Sequence, residues 1–426
     1  MAFGIDVSLD DNLAAFYRGD QDAIRGAFDL YRRLREHGPV YRWGETAIVS
    51  GHHLVKEILR RPAVFRNVPG SVAPDPRLLS GLSEEDLARR TRLLEFEGRW
   101  MAAFTGAEHD RIRRAAQPAF TPKKLREYVA AATEYANELL DEMVEQDAPD
   151  WAWFAEKLPL LVILTMFGAP RDGAEDLNRW SGLFAAWKGQ IPPNPAKIEA
   201  AYDALGEFVA YCEELVERNR PEPGRTDLVA ALMAAEDEGR IDREELLAQI
   251  LLILFAGHDT TTNLLKNGLV AMLSNRSEWE RLCADPSIAS SAVNELLRYD
   301  TSVAIMGRSV WEDCVIDGYE FEQGTAVALY LSAANRDPEA FADPDVLDLT
   351  RRPNDHLGLG NGEHYCLGGV LARLEMEIAF TTLAQRFPDV ELAIDTADLE
   401  YRPKPSNRAI VSLPISLDRT RAMVGV

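Results

Sequence analysis

The stretch HLGLGNGEHYCLGGVLARLE, from His356 to Glu375, places one cysteine between a glycine-rich segment and a helical pattern. Glycines recur at alternate positions from 358 to 362 and permit tight turns and close backbone approaches. After Cys366, apolar residues recur at helical spacing as far as Phe387. Cys366 is therefore predicted at or just before a helix N-terminus, where free N–H groups favour a thiolate.

Several uses of Cys366 fit these residues. It can be a small buried apolar side chain, a nucleophile, a metal ligand or a haem ligand. A nucleophile needs a base, for which His364 is available, but Tyr365 and Leu367 give no pattern for an oxyanion hole. A haem iron needs only one protein ligand on one side, so a lone cysteine suffices.

The composition is that of an acidic chain. Its 426 residues carry a net charge of −23, so we expect the chain as a whole to be repelled by nucleic acid and by anionic membranes. The four cysteines, at 212, 283, 314 and 366, are too scattered for a disulfide framework or a cysteine-rich zinc site. The first residues do not resemble a signal peptide, and the longest apolar run, Ile250–Gly257, is too short to span a bilayer. We expect a cytoplasmic protein.

Helical periodicity dominates the first 300 residues, and β-type alternation occurs in short segments. The clearest helical windows are Lys124–Val144, Ala200–Asn219 and Arg243–Ser274. The alternating segments predict a hairpin at Val40–Ser50, two strands in Cys314–Tyr330 and one strand at Ala409–Leu417. Clustered proline and glycine predict loops at Asn67–Pro76 and Pro192–Pro195. Because no repeat or linker is visible, we expect a single domain over residues 1–426, mainly α with a smaller β-rich region (α+β).

Two further clusters contain charged residues at helical spacing. In GAEHDRIRR, from Gly106 to Arg114, His109 and Arg113 share one face of a predicted helix. Taken alone, this pattern is better explained by a solvated basic helix. In VNELLRYD, Glu295 and Arg298 are three residues apart among apolar neighbours, which favours a buried pair over a weak surface pair.

The segment LLILFAGHDTTTNLL, from Leu251 to Leu265, breaks helix rules inside a strong helical pattern. Gly257 costs about 1 kcal/mol relative to alanine, and threonine hydroxyls can bond back to the preceding turn. A packing kink accounts for these residues, and so does a functional site at which Asp259 and Thr260 transfer protons.

Together these motifs resemble the cytochromes P450, the haem-thiolate monooxygenases, and most closely their soluble bacterial members. GLGNGEHYCLGGVLAR resembles the haem-binding loop, AGHDTT the oxygen-activation segment, ELLR the Glu-x-x-Arg pair and EHDRIRR the propionate-binding helix. ANRDPEAFADPDVLDLTR resembles the segment before the haem loop. The resemblance implies the cytochrome P450 fold, with a long central helix over a haem b.

The resemblance also implies roles for individual residues. Cys366 would be the axial thiolate, whose electron donation favours cleavage of the O–O bond. Asp259 and Thr260 would deliver protons to dioxygen, with Ala256 and Gly257 making room for it. The propionate ligands would be His109, Arg113, Arg308 and His364, and the structural group under the haem loop would be Glu295, Arg298 and Arg351.

Partners and substrate follow from the same resemblance. No flavin or iron–sulfur segment is recognised, so electrons are expected from NAD(P)H through a reductase and a separate ferredoxin. The basic docking residues would be Arg111, Arg114, Lys123, Lys124 and Arg373. The substrate pocket would be lined by Phe65–Thr105, Trp180–Lys197, Phe255–Thr260, Val303–Met306 and Ser406–Asn407. Its candidate contacts are Phe104, Leu252, Phe255, Val303, Ile305, Met306 and Asn407, which favour hydroxylation of a neutral, mostly apolar small molecule.

The chain departs from the family pattern at two positions. Leu359 stands where the haem loop usually has phenylalanine, and Met306 stands where bacterial relatives often have a polar residue near a propionate. Two alternative functions are a peroxide-driven or isomerising member of the same fold and a haem-binding sensor or carrier without turnover. The acid–alcohol pair at Asp259 and Thr260 argues against both.

Overall fold

Helices make up most of the structure, a computed structural model that describes residues 7–67, 81–187, 193–220, 227–404 and 406–417. In chain order they are α1 (Val7–Arg18), α2 (Gln21–Arg25), α3 (Ala27–His37), α4 (His52–Leu59), α5 (Glu84–Glu97), α6 (Gly106–Ala116), α7 (Pro122–Leu125), α8 (Val129–Val144), α9 (Trp151–Phe167), α10 (Ala174–Trp187), α11 (Pro195–Asn219), α12 (Leu228–Asp237), α13 (Arg243–Ser274), α14 (Arg276–Ala284), α15 (Ala289–Tyr299), α16 (Leu331–Ala334) and α17 (Gly369–Arg386). The mainly α prediction is confirmed.

The 32-residue helix α13 organises the helical part and has the bounds predicted from its periodicity. It begins with a capping box, in which the side chains of Asp242 and Glu245 each accept a backbone N–H of the other residue. Helices α9, α11 and α17 pack against it. The Trp151 indole donates to the Leu265 carbonyl at 3.0 Å, which attaches α9 to the C-terminal half of α13.

The strands are β1 (Val40–Trp43), β2 (Thr46–Val49), β3 (Phe65–Arg66), β4 (Ile305–Val310), β5 (Cys314–Ile316), β6 (Tyr319–Phe321), β7 (Ala326–Tyr330), β8 (Glu391–Leu392) and β9 (Ile415–Ser416). The largest sheet has the order β1-β2-β7-β4-β3, and only its β2–β7 pair is parallel. The predicted hairpin is confirmed by the antiparallel β1–β2 pair. Buried side chains of this sheet and of α4 form a second, smaller core beside the helical one.

Three local predictions need correction. The segment Cys314–Tyr330 contains three strands rather than two, because left-handed glycines at 318 and 324 turn the chain twice. In Ala409–Leu417 only Ile415–Ser416 form a strand, since Pro414 lacks the N–H that a ladder needs. Pro195 begins α11 behind the Asn194 cap instead of lying in a loop.

Other predictions concern residues that the structure describes only in part. The predicted loop at Asn67–Pro76 lies outside the described residues except for Asn67, and Pro192 lies outside them as well. Of the helices in the described part of the chain, none is long and apolar enough to cross a membrane.

Candidate active site

A cavity of about 820 Å³ lies between α13 and the loop that carries Cys366. The wall from α13 consists of Leu252, Ile253, Ala256, Gly257, Thr260 and Thr261. Residues 364–368 and the start of α17 form the facing wall. The long helix and the cysteine loop, more than a hundred residues apart in sequence, therefore border one space.

Two glycines of the loop, Gly358 and Gly362, lie too close to neighbouring backbone atoms for any side chain to fit. At Gly358 a Cβ atom would lie 2.4 Å from the Leu297 carbonyl oxygen of α15, so only glycine allows this contact. Gly362 has a φ of +71°, in the left-handed region, and a Cβ there would lie 2.8 Å from the Leu59 carbonyl oxygen. These contacts hold the loop close to α15 and α4.

Cys366 lies three residues before α17, and its N–H donates to the Leu359 carbonyl at 2.9 Å. Its thiol is accessible from the cavity. The surrounding protein nevertheless raises the pKa of the thiol through burial, while the Gly368 N–H and the charges of Arg113 and Arg373 lower it. A cation at the sulfur would complete the conditions for a thiolate.

Four basic residues gather at one side of this cavity. The rings of His109 and His364 meet edge to face, with centroids 4.7 Å apart. Burial of His364, followed by the charges of His109, Arg308 and Arg113, lowers the pKa of His364 to about 3. Burial also lowers the pKa of Arg308 to about 10. The cluster is thus short of negative charge.

The acceptors near this cluster do not satisfy it. Among the described residues, His109 Nδ1 and His364 Nε2 have no hydrogen-bond partner. Asp110 Oδ1 lies 3.5 Å from His109 Nδ1. The Glu363 carboxylate lies 3.6 Å from His109 Nδ1 and 3.8 Å from His364 Nε2, and it already accepts the Gly106 N–H. Unpaired buried donors beside a cavity that holds a thiol fit a haem, which has two propionates and an iron.

The structure separates the two members of the predicted acid–alcohol pair. Thr260 lines the Cys366 cavity, and its hydroxyl donates to the Ala256 carbonyl at 2.9 Å. Asp259 lines a neighbouring cavity, where its Oδ1 is 3.6 Å from Arg402 Nη1. Consecutive residues of a helix point about 100° apart, so the carboxylate and the hydroxyl face different spaces.

Gly257 serves helix packing as well as the cavity. A Cβ atom there would lie 3.1 Å from Ile163 Cδ1 of α9, so the glycine allows α9 and α13 to approach. The same residue also lines the Cys366 cavity. The segment lies inside α13, which continues without a break from Arg243 to Ser274.

Glu295, Arg298 and Arg351 are in direct contact. Glu295 and Arg298 are fully buried, and the carboxylate accepts from Arg298 Nε and Nη2, both at 2.8 Å. Arg351 Nε donates to the same carboxylate at 3.1 Å, and Asn354 Nδ2 and the Asp348 N–H donate at 3.0 and 3.1 Å. The carboxylate therefore joins α15 to the chain just before the cysteine loop.

Sequence reasoning missed Glu375, a fully buried carboxyl on α17 that lines the Cys366 cavity. Burial raises its pKa well above the usual range, with the nearby Thr261 hydroxyl acting in the opposite direction. Neither carboxylate oxygen meets the geometry of a hydrogen bond to a described residue. The available signal was an acidic residue on the apolar face of the helix that follows Cys366.

Arg111 differs from its predicted place on a docking face. Its guanidinium bonds both oxygens of Glu245 at 2.6 and 2.8 Å and also donates to the Arg240 carbonyl. It therefore joins α6 to the start of α13. Arg114, with a 73% exposed side chain, does face solvent, whereas Arg373 donates to Asn294 and to the Tyr365 hydroxyl.

The seven predicted substrate contacts occupy different places. Leu252 lines the Cys366 cavity, and Asn407 lines the neighbouring cavity with Asp259. Phe255 packs against the rings of Trp100 and Phe184. The other four lie outside the walls of these two cavities in the described chain: Phe104 and Ile305 pack in the helical core, and Val303 and Met306 pack in the core of the sheet.

Comparison with known proteins gives the same assignment as the motifs. The sequence matches the Cytochrome P450 family model over residues 83–285 and 287–414. It is 32% identical over 415 residues to the polyketide biosynthesis cytochrome P450 PksS of Bacillus subtilis, covering 95% of this chain and 99% of PksS. It is 34% identical over 401 residues to the biotin biosynthesis cytochrome P450 of the same organism, covering 93% and 97%.

Solved structures agree with the sequence matches. P450BioI in complex with an acyl carrier protein ligated to hexadec-9Z-enoic acid superposes with a TM-score of 0.83 at 29% identity, covering 93% of this chain and 99% of that one. With a family model that matches most of its length and relatives above 30% identity, the chain belongs to the cytochrome P450 family of haem-dependent monooxygenases.

Proposed function

We propose that this monooxygenase holds haem b with Cys366 as the axial thiolate, receives electrons from a separate ferredoxin and hydroxylates a mostly apolar small molecule. The observation that carries the proposal is one cavity that is bordered by Cys366, by Thr260 of α13 and by two buried histidines, each with a ring nitrogen that has no hydrogen-bond partner among the described residues. When bound, the haem supplies the iron that activates dioxygen, and a thiolate ligand favours O–O cleavage.

In this proposal the four basic residues bind the propionates. His109 and His364 would donate from the nitrogens that have no partner in the described structure. Two carboxylates beside His364 would raise its pKa from about 3, because opposite charge favours the protonated imidazole. Arg113 and Arg308 would supply permanent positive charge.

Protons would reach dioxygen through the Thr260 hydroxyl. This hydroxyl faces the cavity but donates its own hydrogen to the Ala256 carbonyl. Its oxygen can still accept a hydrogen bond, and the hydroxyl can donate into the cavity after rotation about χ1. Asp259 lies on the adjacent side of α13 and would supply protons from the neighbouring cavity. Glu375, whose pKa is raised by burial, is a second candidate donor at the opposite wall.

The substrate proposal depends on the wall of the Cys366 cavity. Leu252, Ile253, Ile163 and Phe120 make most of its lining apolar, which favours transfer of an apolar body from water. The relatives carry names from polyketide and biotin biosynthesis, and one neighbour is bound to an acyl carrier protein. Apolar acyl or polyketide-like skeletons are therefore the first compounds to test.

A ferrous carbon monoxide difference spectrum tests the ligand assignment. We expect the red-shifted Soret band of a thiolate-ligated haem in the wild type and its loss in Cys366→Ala. Absence of the band in the wild type, or its survival in the variant, would contradict the assignment. Cys283→Ala is the matched control, because Cys283 lies on α14 outside the cavity lining.

Turnover then separates the monooxygenase from its alternatives. We expect product with reduced ferredoxin and dioxygen, at a rate that exceeds the rate with hydrogen peroxide alone. Product with peroxide only would indicate a peroxide-driven enzyme. Haem binding without product from any of a set of apolar substrates would favour a sensor or carrier.

A further inference from the structure

A second cavity, of about 690 Å³, lies beside Asp259, on another side of α13 from the haem cavity proposed above. Small residues of α10 leave this space open, and a Cβ atom added to Gly182 would meet no heavy atom within 4 Å. Lys197 of α11 closes one side. The remaining wall consists of Arg402, Pro403, Lys404, Asn407 and Ala409.

This cavity is basic, although the whole chain is strongly acidic. Lys197, Arg402 and Lys404 line it, while Asp259 is the only carboxylate among the described lining residues. Arg402 is 3.6 Å from Asp259 and 3.5 Å from Glu156, and Glu156 is shared with the buried Lys266. Both of these carboxylates therefore lie within ion-pair distance of Arg402.

Lys197 differs from Arg402 in its surroundings. Its ammonium group has no ion-pair partner among the residues that the structure describes, and it is half-buried at the cavity wall. A half-buried ammonium without a carboxylate is favourable beside a space that holds an anion. Asn407 adds a polar side chain at the same wall, where its Oδ1 accepts from the Ser406 hydroxyl at 2.9 Å.

We infer that this cavity binds an anionic group of the substrate, a carboxylate or a phosphate, while the apolar part of the substrate enters the cavity of Cys366. The inference rests on the proposed monooxygenase function. Asp259 and Thr260 are consecutive on α13 and line one cavity each, so the two spaces adjoin the same turn of helix. The substrate is then an amphiphile with one charged end, instead of the neutral molecule that the sequence alone favours.

Lys197→Gln is the decisive variant. Arg402→Gln would also remove the ion-pair partner of Asp259 and so mix substrate binding with proton supply. Lys197 lacks such a partner in the described chain, so its removal changes only the charge of the cavity. Lys157→Gln is the matched control, because Lys157 lies on α9 with 47% of its side chain exposed and lines neither cavity.

The assay is equilibrium dialysis of the holoenzyme with dodecanoate, dodecyl phosphate and dodecanol, which share one apolar chain. We expect at least one anion to bind about 10-fold more tightly than the alcohol, as a charged hydrogen bond allows. Lys197→Gln should lose most of this preference and Lys157→Gln should retain it. Gly182→Leu fills the cavity without a change of charge and should also weaken the binding of the anion.

Equal binding of the alcohol and both anions, or an unchanged preference in Lys197→Gln, would overturn the inference. The preferred anion identifies the source of the charge as a carboxylate or a phosphate. The preferred anion should also shift the spin state of the ferric haem. An anion that binds without this shift does not occupy the substrate site, and that result would also overturn the inference. Dialysis needs no turnover, whereas the carbon monoxide spectrum tests the haem assignment, so the two proposals fail separately.

Discussion

We expect Glu295→Gln to lower the free energy of unfolding by about 3–5 kcal/mol, the usual cost of leaving a buried charge unpaired. The carboxylate is fully buried and accepts five hydrogen bonds. Oε2 accepts from Arg298 Nε and from Asn354 Nδ2. An amide NH₂ in that place would face two donors, and each lost bond to a charged group costs about 1.5–3 kcal/mol.

The structure also limits the loss. Arg298 keeps its bonds to the carbonyls of Asn335, Pro344 and Val346, so its guanidinium is not left without acceptors. For a chain of 426 residues, an unfolding entropy of about 2.1 cal/mol/K per residue converts the loss to roughly 3–6 °C in Tm. Urea unfolding of the holoenzyme, followed by tryptophan fluorescence and by the Soret band, measures the free energy, and thermal unfolding measures Tm.

Glu214→Gln is the control for this experiment. Glu214 pairs with Arg218 one turn away on α11, and both side chains are more than half exposed. Such a pair is worth about 0.3–0.5 kcal/mol. If the two variants lose stability within about 0.5 kcal/mol of one another, the account of Glu295 as a buried pin is refuted. Should Glu295→Gln fail to fold, Arg351→Gln removes one of the five donors to Glu295, together with the bonds of Arg351 to the carbonyls of Ala342, Asp343 and Val346. We expect it to cost at least about 1.5–3 kcal/mol.

Three further outcomes are expected. Burial raises the folded-state pKa of Glu375 above its ordinary 4.5. The contribution of Glu375 to the free energy of unfolding is therefore fully present below pH 4.5 and declines as the pH rises towards the folded-state pKa. Glu375→Gln should therefore gain stability over the wild type as the pH of urea unfolding rises from about 4 to 8, and parallel pH profiles would contradict this. Leu359→Phe should change the reduction potential or the Tm. Leu359 lies against Gly369, where an added Cβ atom would be only 3.1 Å from Leu359 Cδ1, so a larger ring must displace its neighbours. No change in either quantity would refute the reasoning. Arg114→Glu should slow reduction by an acidic ferredoxin about 3–10-fold at low ionic strength, measured by stopped flow, with Arg218→Glu as an exposed control that should leave the rate unchanged.

Residues close together in sequence were assigned correctly where one helix or loop contains the whole pattern. The bounds of α13, the start of the helix after Cys366 and the contact between Glu295 and Arg298 follow from a period of 3.6 residues and from apolar neighbours. The family resemblance added Arg351, which no local pattern connects to Glu295. Short strands such as β9 were predicted poorly, because pairing partners rather than propensity decide them.

Contacts between distant segments could not be derived from the pattern. Glu375 and Thr261 share a cavity wall, and Arg111 pairs with Glu245, because helix packing brings those faces together. The same packing places Asp259 and Thr260 at the walls of different cavities, although the family resemblance predicted that they act as one pair.

The spacing of residues in the stretch His356–Glu375 and in its companion motifs was enough to identify the family and the mainly helical fold, and to predict Cys366 as the thiolate, because each depends on spacing along one backbone. The charge environment depends instead on which side chains meet across the fold. The burial and neighbouring charges that lower the pKa of His364 exist only once α6 and β4 meet the Cys366 loop. The basic second cavity likewise exists only once α10, α11, α13 and the C-terminal segment are packed.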